Sequence, residues 1–301
     1  MEWQSAVFGA RNEIMMSISI GDMQGKIKKR LCFAFLFSLL GAGIAFSSEA
    51  AETIFPEPTE MVLVPEGEFI MGGSEKDGRI GLEVGVDAVP ERHVYLKSFY
   101  IDKYEVTIGQ YKRFMAATGH PPPALWGPVY APDYPPHRDT DPISDVSWYD
   151  ADTYCRWVGK RLPAEEEWEK AARGTDGRRY PWGNEWKDGI ANTIEYMQKQ
   201  QKPGTRKFTH TVTEVGSFKE DVSPYGIYDM AGNVMEWTSS WYKAYPGSTL
   251  KRRIFGEIDR VMRGGAWMMP ASPFSFAFNR HFARPQGDDP YFGVRCAKDA
   301  E

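Results

Sequence analysis

The feature that most restricts the fold is the spread of glycine and proline, 29 and 21 residues, which leaves no stretch with one hydrophobic period for long. Eight prolines fall between Pro121 and Pro142, with Trp126, Tyr130 and Tyr134 among them. Proline fixes φ and lacks a backbone donor, so this segment enters neither a helix nor a sheet interior. It is expected to be an ordered surface loop or one wall of a groove. A regular barrel and a helical bundle are both disfavoured. The composition instead fits a fold of short strands and long ordered loops, with aromatic side chains filling the core.

Three helices are legible. Thr107 with Gln110, and Ser147 with Asp150, have capping-box spacing. The first pair heads a helix with Ile108, Tyr111, Phe114 and Met115 on its buried face and Gly119 as its stop. The second heads one with Trp148, Ala151, Tyr154, Cys155 and Val158 at helical spacing, ended by Gly159. A third runs from Glu165 to Arg173, and its three leading glutamates complement the positive helix end. Met61 to Val64 and Glu68 to Met71, joined by Pro65-Glu66-Gly67, are expected to pair as a hairpin, and Val94 to Ile101 to form one strand.

Lys26, Lys28, Lys29 and Arg30 precede an apolar run from Leu31 to Phe46, followed by Ser48-Glu49-Ala50. That is the pattern of a secretory signal, so residues 1–50 are expected to be removed, with translation starting at Met23. The run is shorter than the roughly 20 residues of a membrane span. The mature chain is therefore expected to be periplasmic or secreted, with no stable membrane span and a short tail over residues 51–60. Its 31 basic and 37 acidic residues give a net charge of −6, which argues against a nucleic-acid partner. Only Cys155 and Cys296 remain, in a compartment where thiols oxidise, and they are expected to pair. Two free buried cysteines are the other reading.

The chemistry converges on Gly226 to Trp241, where Asp229 and Glu236 flank a Gly232-Asn233 turn and two tryptophans follow. Glycine and asparagine reach positive φ easily, so the two carboxylates can fold toward one point with main-chain carbonyls between them. Six to eight mixed anionic and carbonyl oxygens are what calcium takes. The other reading makes Asp229 a turn residue and Glu236 half of a surface ion pair.

Gly226 to Thr238 resembles the signature block of the formylglycine-generating enzyme, or sulfatase-modifying factor, family. Other blocks agree in order: Met61 to Gly73, Tyr104 to Thr107, Asp145 to Trp148, Gly159 to Pro163, Glu167 to Glu169, Tyr180 to Asn184, Arg263 to Gly265 and Phe292 to Cys296. The resemblance implies an irregular α+β fold related to C-type lectin-like domains, as a single domain over residues 61–299. It implies a disulfide at the same Cys155 and Cys296. It implies a structural calcium held by Asp229, the carbonyls of Gly232 and Val234, and Glu236, and a second, weaker calcium site of which only Asn192 and Thr193 align.

In the founding enzymes of that family, two cysteines after Gly-Gly hold Cu(I) and bind the substrate thiol. Counted from Gly264, those positions are Met269 and Phe274 here, and the pocket serine is Ala266. No cysteine occurs from Arg156 to Arg295, so copper is not expected. Met268 and Met269 are expected to be core fillers. The five histidines, His93, His120, His137, His210 and His281, form no metal motif. Arg280, His281 and Arg284 form a polar cluster in the segment that lines the family's cleft. They suggest anion binding and proton transfer, with Asp288 and Asp289 as internal partners in the structural alternative.

Two functions from different classes follow. One is an exported tailoring oxidoreductase or modifying enzyme without copper, acting on a small molecule or on an exported peptide or protein. The other is a non-catalytic, calcium-braced binding or assembly module. Formylglycine formation on sulfatases is a weaker third.

Overall fold

A computed structural model describes residues 59–74, 85–123, 126, 138–201 and 212–301. The expected signal, most of the tail, His137 and His210 lie outside the described residues. Among the described residues, nine short strands and a few helices build an α+β fold. Among the described residues no helix is long and apolar enough to cross a membrane.

The two opening strands, β1 (Met61–Val64) and β2 (Gly67–Met71), do not pair with each other as the hairpin reading expected. β1 pairs antiparallel with β4 (Phe99–Asp102) and β2 with β3 (Arg92–Leu96). The register is continuous, since Val64 faces Phe99 and Gly67 faces Leu96. The chain thus forms one long ribbon broken at Pro65, which has no amide proton for the ladder. Lys170 fixes the break by donating to the carbonyls of Pro65 and Gly67, at 2.7 and 2.9 Å. The expected strand from Val94 to Ile101 is split at the same level.

The two capping boxes form as expected. Thr107 heads α1 (Ile108–Thr118), which ends at Gly119 in the left-handed conformation, and Ser147 heads α2 (Trp148–Trp157). In α3 (Glu165–Arg173) the cap residue is Ala164, which has no side-chain acceptor; Glu167 still accepts its amide at 2.7 Å. Two further helical pieces are α4 (Ile194–Gln200) and the turn α5 (Ala271–Phe274).

A four-stranded sheet carries the central stretch, in the order β7 (His281–Ala283), β6 (Arg260–Arg263), β5 (Met235–Trp241), β8 (Phe292–Gly293). A third sheet is β1, β4 and β9 (Ala297–Asp299). Successive residues of β5 point to opposite faces. Trp237, fully buried, enters the main core with Ile108, Tyr111, Phe114, Tyr154 and Val294, while Glu236 faces α3. Cys155 on α2 is disulfide-bonded to Cys296, 141 residues away, with Cα atoms 5.6 Å apart, inside that core.

Candidate functional site

Of the expected Gly232-Asn233 turn, Asn233 takes positive φ and Gly232 does not. Asp229 (φ 62°) and Asn233 (φ 68°) are both left-handed, a conformation that Asp and Asn tolerate better than other side chains. At Gly232 a Cβ would lie 2.6 Å from the Asn192 carbonyl oxygen, so only glycine fits. Asp229 accepts the Gly216 amide at 2.5 Å. The Oε1 atom of Glu236 accepts from Arg295 at 2.7 and 3.0 Å, and its Oε2 from Arg295 at 2.9 Å and from the Trp168 indole at 2.6 Å.

Two further carboxylates, absent from the sequence reading, close on the same place. Glu105 is buried and accepts Asn233 Nδ2 at 2.7 Å and the Val234 amide at 3.2 Å. Asp221 is buried, and its Oδ1 has no hydrogen-bond partner. Burial raises the Glu105 carboxyl well above the usual range, helped by Asp229 and Glu236; burial and Asp229 do the same to Asp221. Asp229 is pushed up to about 6, mainly by burial. Glu105 belongs to the Tyr104-to-Thr107 block, but nothing in the sequence marked Asp221.

Four buried carboxylates therefore gather around one arginine. All donors are hard oxygens and negative charge is in surplus, which suits calcium and not Cu(I). No three His, Cys, Asp or Glu side chains among the described residues converge closely enough to hold a metal by themselves. A cation here would need main-chain oxygens as well, and the carbonyls of Gly232 and Val234 are the ones the loop offers. Glu236 fits less well than Asp229, because its oxygens already face Arg295 and Trp168.

Asn192 and Thr193 are engaged within the protein. The Asn192 carbonyl accepts the Asn233 amide at 2.9 Å, its Nδ2 donates to Asn233 Oδ1 at 3.0 Å, and the Thr193 hydroxyl donates to Glu195 at 2.8 Å. They tie the loop before α4 to the turn at Asn233.

Arg280 does not meet Asp288 or Asp289. Its Nε and Nη2 grip Glu165 at 2.6 and 2.9 Å, and Nη1 donates to the carbonyls of Asp87 and Lys243. Glu165 also binds Arg263 at 2.8 Å, and Arg263 binds Glu169, which holds Arg173. Glu165 thus does more than complement its helix end: it anchors a buried network of two carboxylates and three arginines. Arg284, its side chain 64% exposed, pairs with Asp259 at 3.2 Å. His281 contacts Asn279 Nδ2 at 3.0 Å and the Phe274 carbonyl at 3.3 Å, and its ring stacks on Phe274. Desolvation pushes the His281 imidazole down to about 4, so it is neutral near pH 7.

Around the copper-type positions the packing is apolar. Ala266 is fully buried, Met269 packs on the main core, and Trp267 sits in a small cluster with Met197, Val212 and Val234. Two cavities lie away from these positions. One of about 200 Å3 is lined by Tyr111, Pro121, Pro122, Pro123, Asp145, Asp150 and Asp288. Another, about 70 Å3, touches Glu105 from the side of Thr59, Asp102 and Tyr104.

Residues 47–300 match the sulfatase-modifying factor enzyme 1-like domain. The chain belongs to this family. It is 35% identical to the formylglycine-generating enzyme of Thermomonospora curvata, over 79% of this chain and 93% of that enzyme. Family resemblance extends equally to the inactive C-alpha-formylglycine-generating enzyme 2 of Bos taurus, 32% identical over 81% of this chain and 89% of the relative. It is also 33% identical to the serine/threonine-protein kinase Pkn1 of Chlamydia trachomatis over 83% of this chain, but spans only 40% of that relative's length. Among solved structures, PvdO from Pseudomonas aeruginosa superposes with a TM-score of 0.61 at 26% identity, over 80% of this chain and 95% of PvdO.

Proposed function

We propose that this family member is exported and works as a calcium-braced recognition module, without copper-dependent oxidation. One observation carries the reading. Met269 and Phe274 stand at the positions that match the copper cysteines, and the polar groups beside them, Arg280 and His281, are already held by Glu165, Asn279 and the Phe274 carbonyl. A guanidinium with its donors engaged and a neutral imidazole stacked on a phenyl ring offer little to a reacting substrate.

Export is supported by the basic and apolar leader and by the Cys155–Cys296 disulfide, a bond that persists in oxidising compartments. Calcium is supported by the surplus charge of Glu105, Asp221, Asp229 and Glu236 over Arg295. Asp229, Glu236 and the carbonyls of Gly232 and Val234 are its proposed ligands. A bound cation there would neutralise the cluster and stiffen the turn that precedes β5.

The test is direct. The disulfide-intact chain, incubated with copper, oxygen and a Cys-X-Pro-X-Arg peptide, is expected to leave the peptide mass unchanged. Appearance of an aldehyde peptide would overturn the reading. A modifying enzyme acting on a small molecule or peptide is the second reading, supported by the perturbed carboxyl of Asp145 in the larger cavity.

A further inference from the structure

We propose that the cavity beneath Asp145 binds a guanidinium group, carried by a free small molecule or by an arginine side chain of a peptide. Asp145 is 1% exposed, lines the cavity, and neither of its carboxylate oxygens has a hydrogen-bond partner. The Ser144 hydroxyl is near enough to favour the anion slightly but not in hydrogen-bonding geometry. Buried polar atoms are nearly always paired, and two vacant oxygens on one carboxylate are an exception that calls for a ligand.

The position is rigid. Asp145 sits in the left-handed region (φ 61°) between the buried residues Ser144 and Val146. On one side the Ile143 amide donates to the Val106 carbonyl, and on the other the Trp148 amide donates to that of Pro285. A fixed carboxylate with both oxygens buried and unpartnered supplies the two acceptors that the parallel N–H groups of a guanidinium require. That cation is also more weakly hydrated than an ammonium, which favours it in a buried site.

The surroundings agree. The charges acting on Asp145 are the like charges of Asp288 and Asp289, and burial with that repulsion pushes its carboxyl up to about 7. Asp288 lines the cavity, so a cation would meet two acids. Asp150 adds negative field but is engaged, accepting from Ser147 and bonded to His120 Nε2 at 2.8 Å. Pro121, Pro122 and Pro123 with Tyr111 supply an apolar wall for an aliphatic stem.

The inference rests on the recognition reading but is measured apart from it. Aldehyde formation would remove that reading and leave this site standing, whereas absent guanidinium binding removes only the site. The disulfide-intact protein is titrated by NMR with ethylguanidinium, ethylammonium, ethylurea and the peptide acetyl-Gly-Arg-Gly-amide. Saturable one-site binding is expected for ethylguanidinium, at least about tenfold tighter than for neutral ethylurea. A peptide that binds about tenfold tighter than ethylguanidinium points to an arginine side chain as the source, and equal affinities point to a free small molecule. Asp145→Asn, which keeps the left-handed backbone, is expected to lose about tenfold or more in affinity while unfolding cooperatively, and Asp288→Asn to lose less. Absence of saturation, undiminished binding by Asp145→Asn, or ethylammonium binding as well as ethylguanidinium overturns the proposal.

Discussion

Replacing Arg295 with methionine is expected to lower the unfolding free energy by about 3–5 kcal/mol near pH 8, the range found when one partner of a buried ion pair is removed. Arg295 is fully buried and donates to both oxygens of Glu236 and to the carbonyls of Asp102 and Tyr228. It is the cation that faces Glu105, Asp229 and Glu236 together. Without it those acids fold only by taking up protons. A carboxyl whose folded pKa is raised holds its proton in the native state after the unfolded chain has released it, so stability falls as pH climbs through that window. For Asp229 the window already runs from 3.8 to about 6 in the wild type, and the variant widens it. Urea unfolding at pH 5 and pH 8 should therefore show the larger loss at pH 8. Arg284→Ala, on an exposed side chain, should stay within about 0.5 kcal/mol. A loss below about 1 kcal/mol for Arg295→Met would show that the cluster is not organised around this residue.

Asp145→Asn is expected to act in the opposite direction. Its carboxyl rises from 3.8 to about 7, so the contribution of this group to stability is fully present below pH 3.8 and is lost as pH rises through 7. About three pKa units at 1.36 kcal/mol each set a ceiling of about 4 kcal/mol, and the variant should gain about 2–4 kcal/mol at pH 8. Near pH 4 the two proteins should unfold alike. Equal stability at pH 8 would mean that Asp145 carries no uncompensated charge. Stabilisation joined to lost guanidinium affinity is the trade expected of a strained recognition site.

What the sequence made legible was local. The capping pairs at Thr107 and Ser147 announce α1 and α2 within four residues, and the turn at Asn233 follows from residues that tolerate positive φ. The Cys155–Cys296 disulfide was expected from the oxidising compartment and from the pairing that the family resemblance implies. Long-range partnerships were not legible. Pro65 looked like a hairpin turn, yet it interrupts a ribbon whose second strand begins more than twenty residues later. Glu165 read as a helix-end charge because its partners, Arg263 and Arg280, lie about a hundred residues away. Arg280 looked available for chemistry for the same reason. Asp145 sat inside a family block whose helix cap drew the attention, and only burial and the cavity set it apart.

A hard cation, not copper, is proposed to complete this domain. Thermal unfolding of the disulfide-intact protein at pH 7.5, in millimolar calcium and again in excess chelator, tests it most directly. A melting temperature several degrees higher in calcium, with the difference abolished in Glu236→Ala, is the result predicted. Identical melting curves with and without chelator would contradict it.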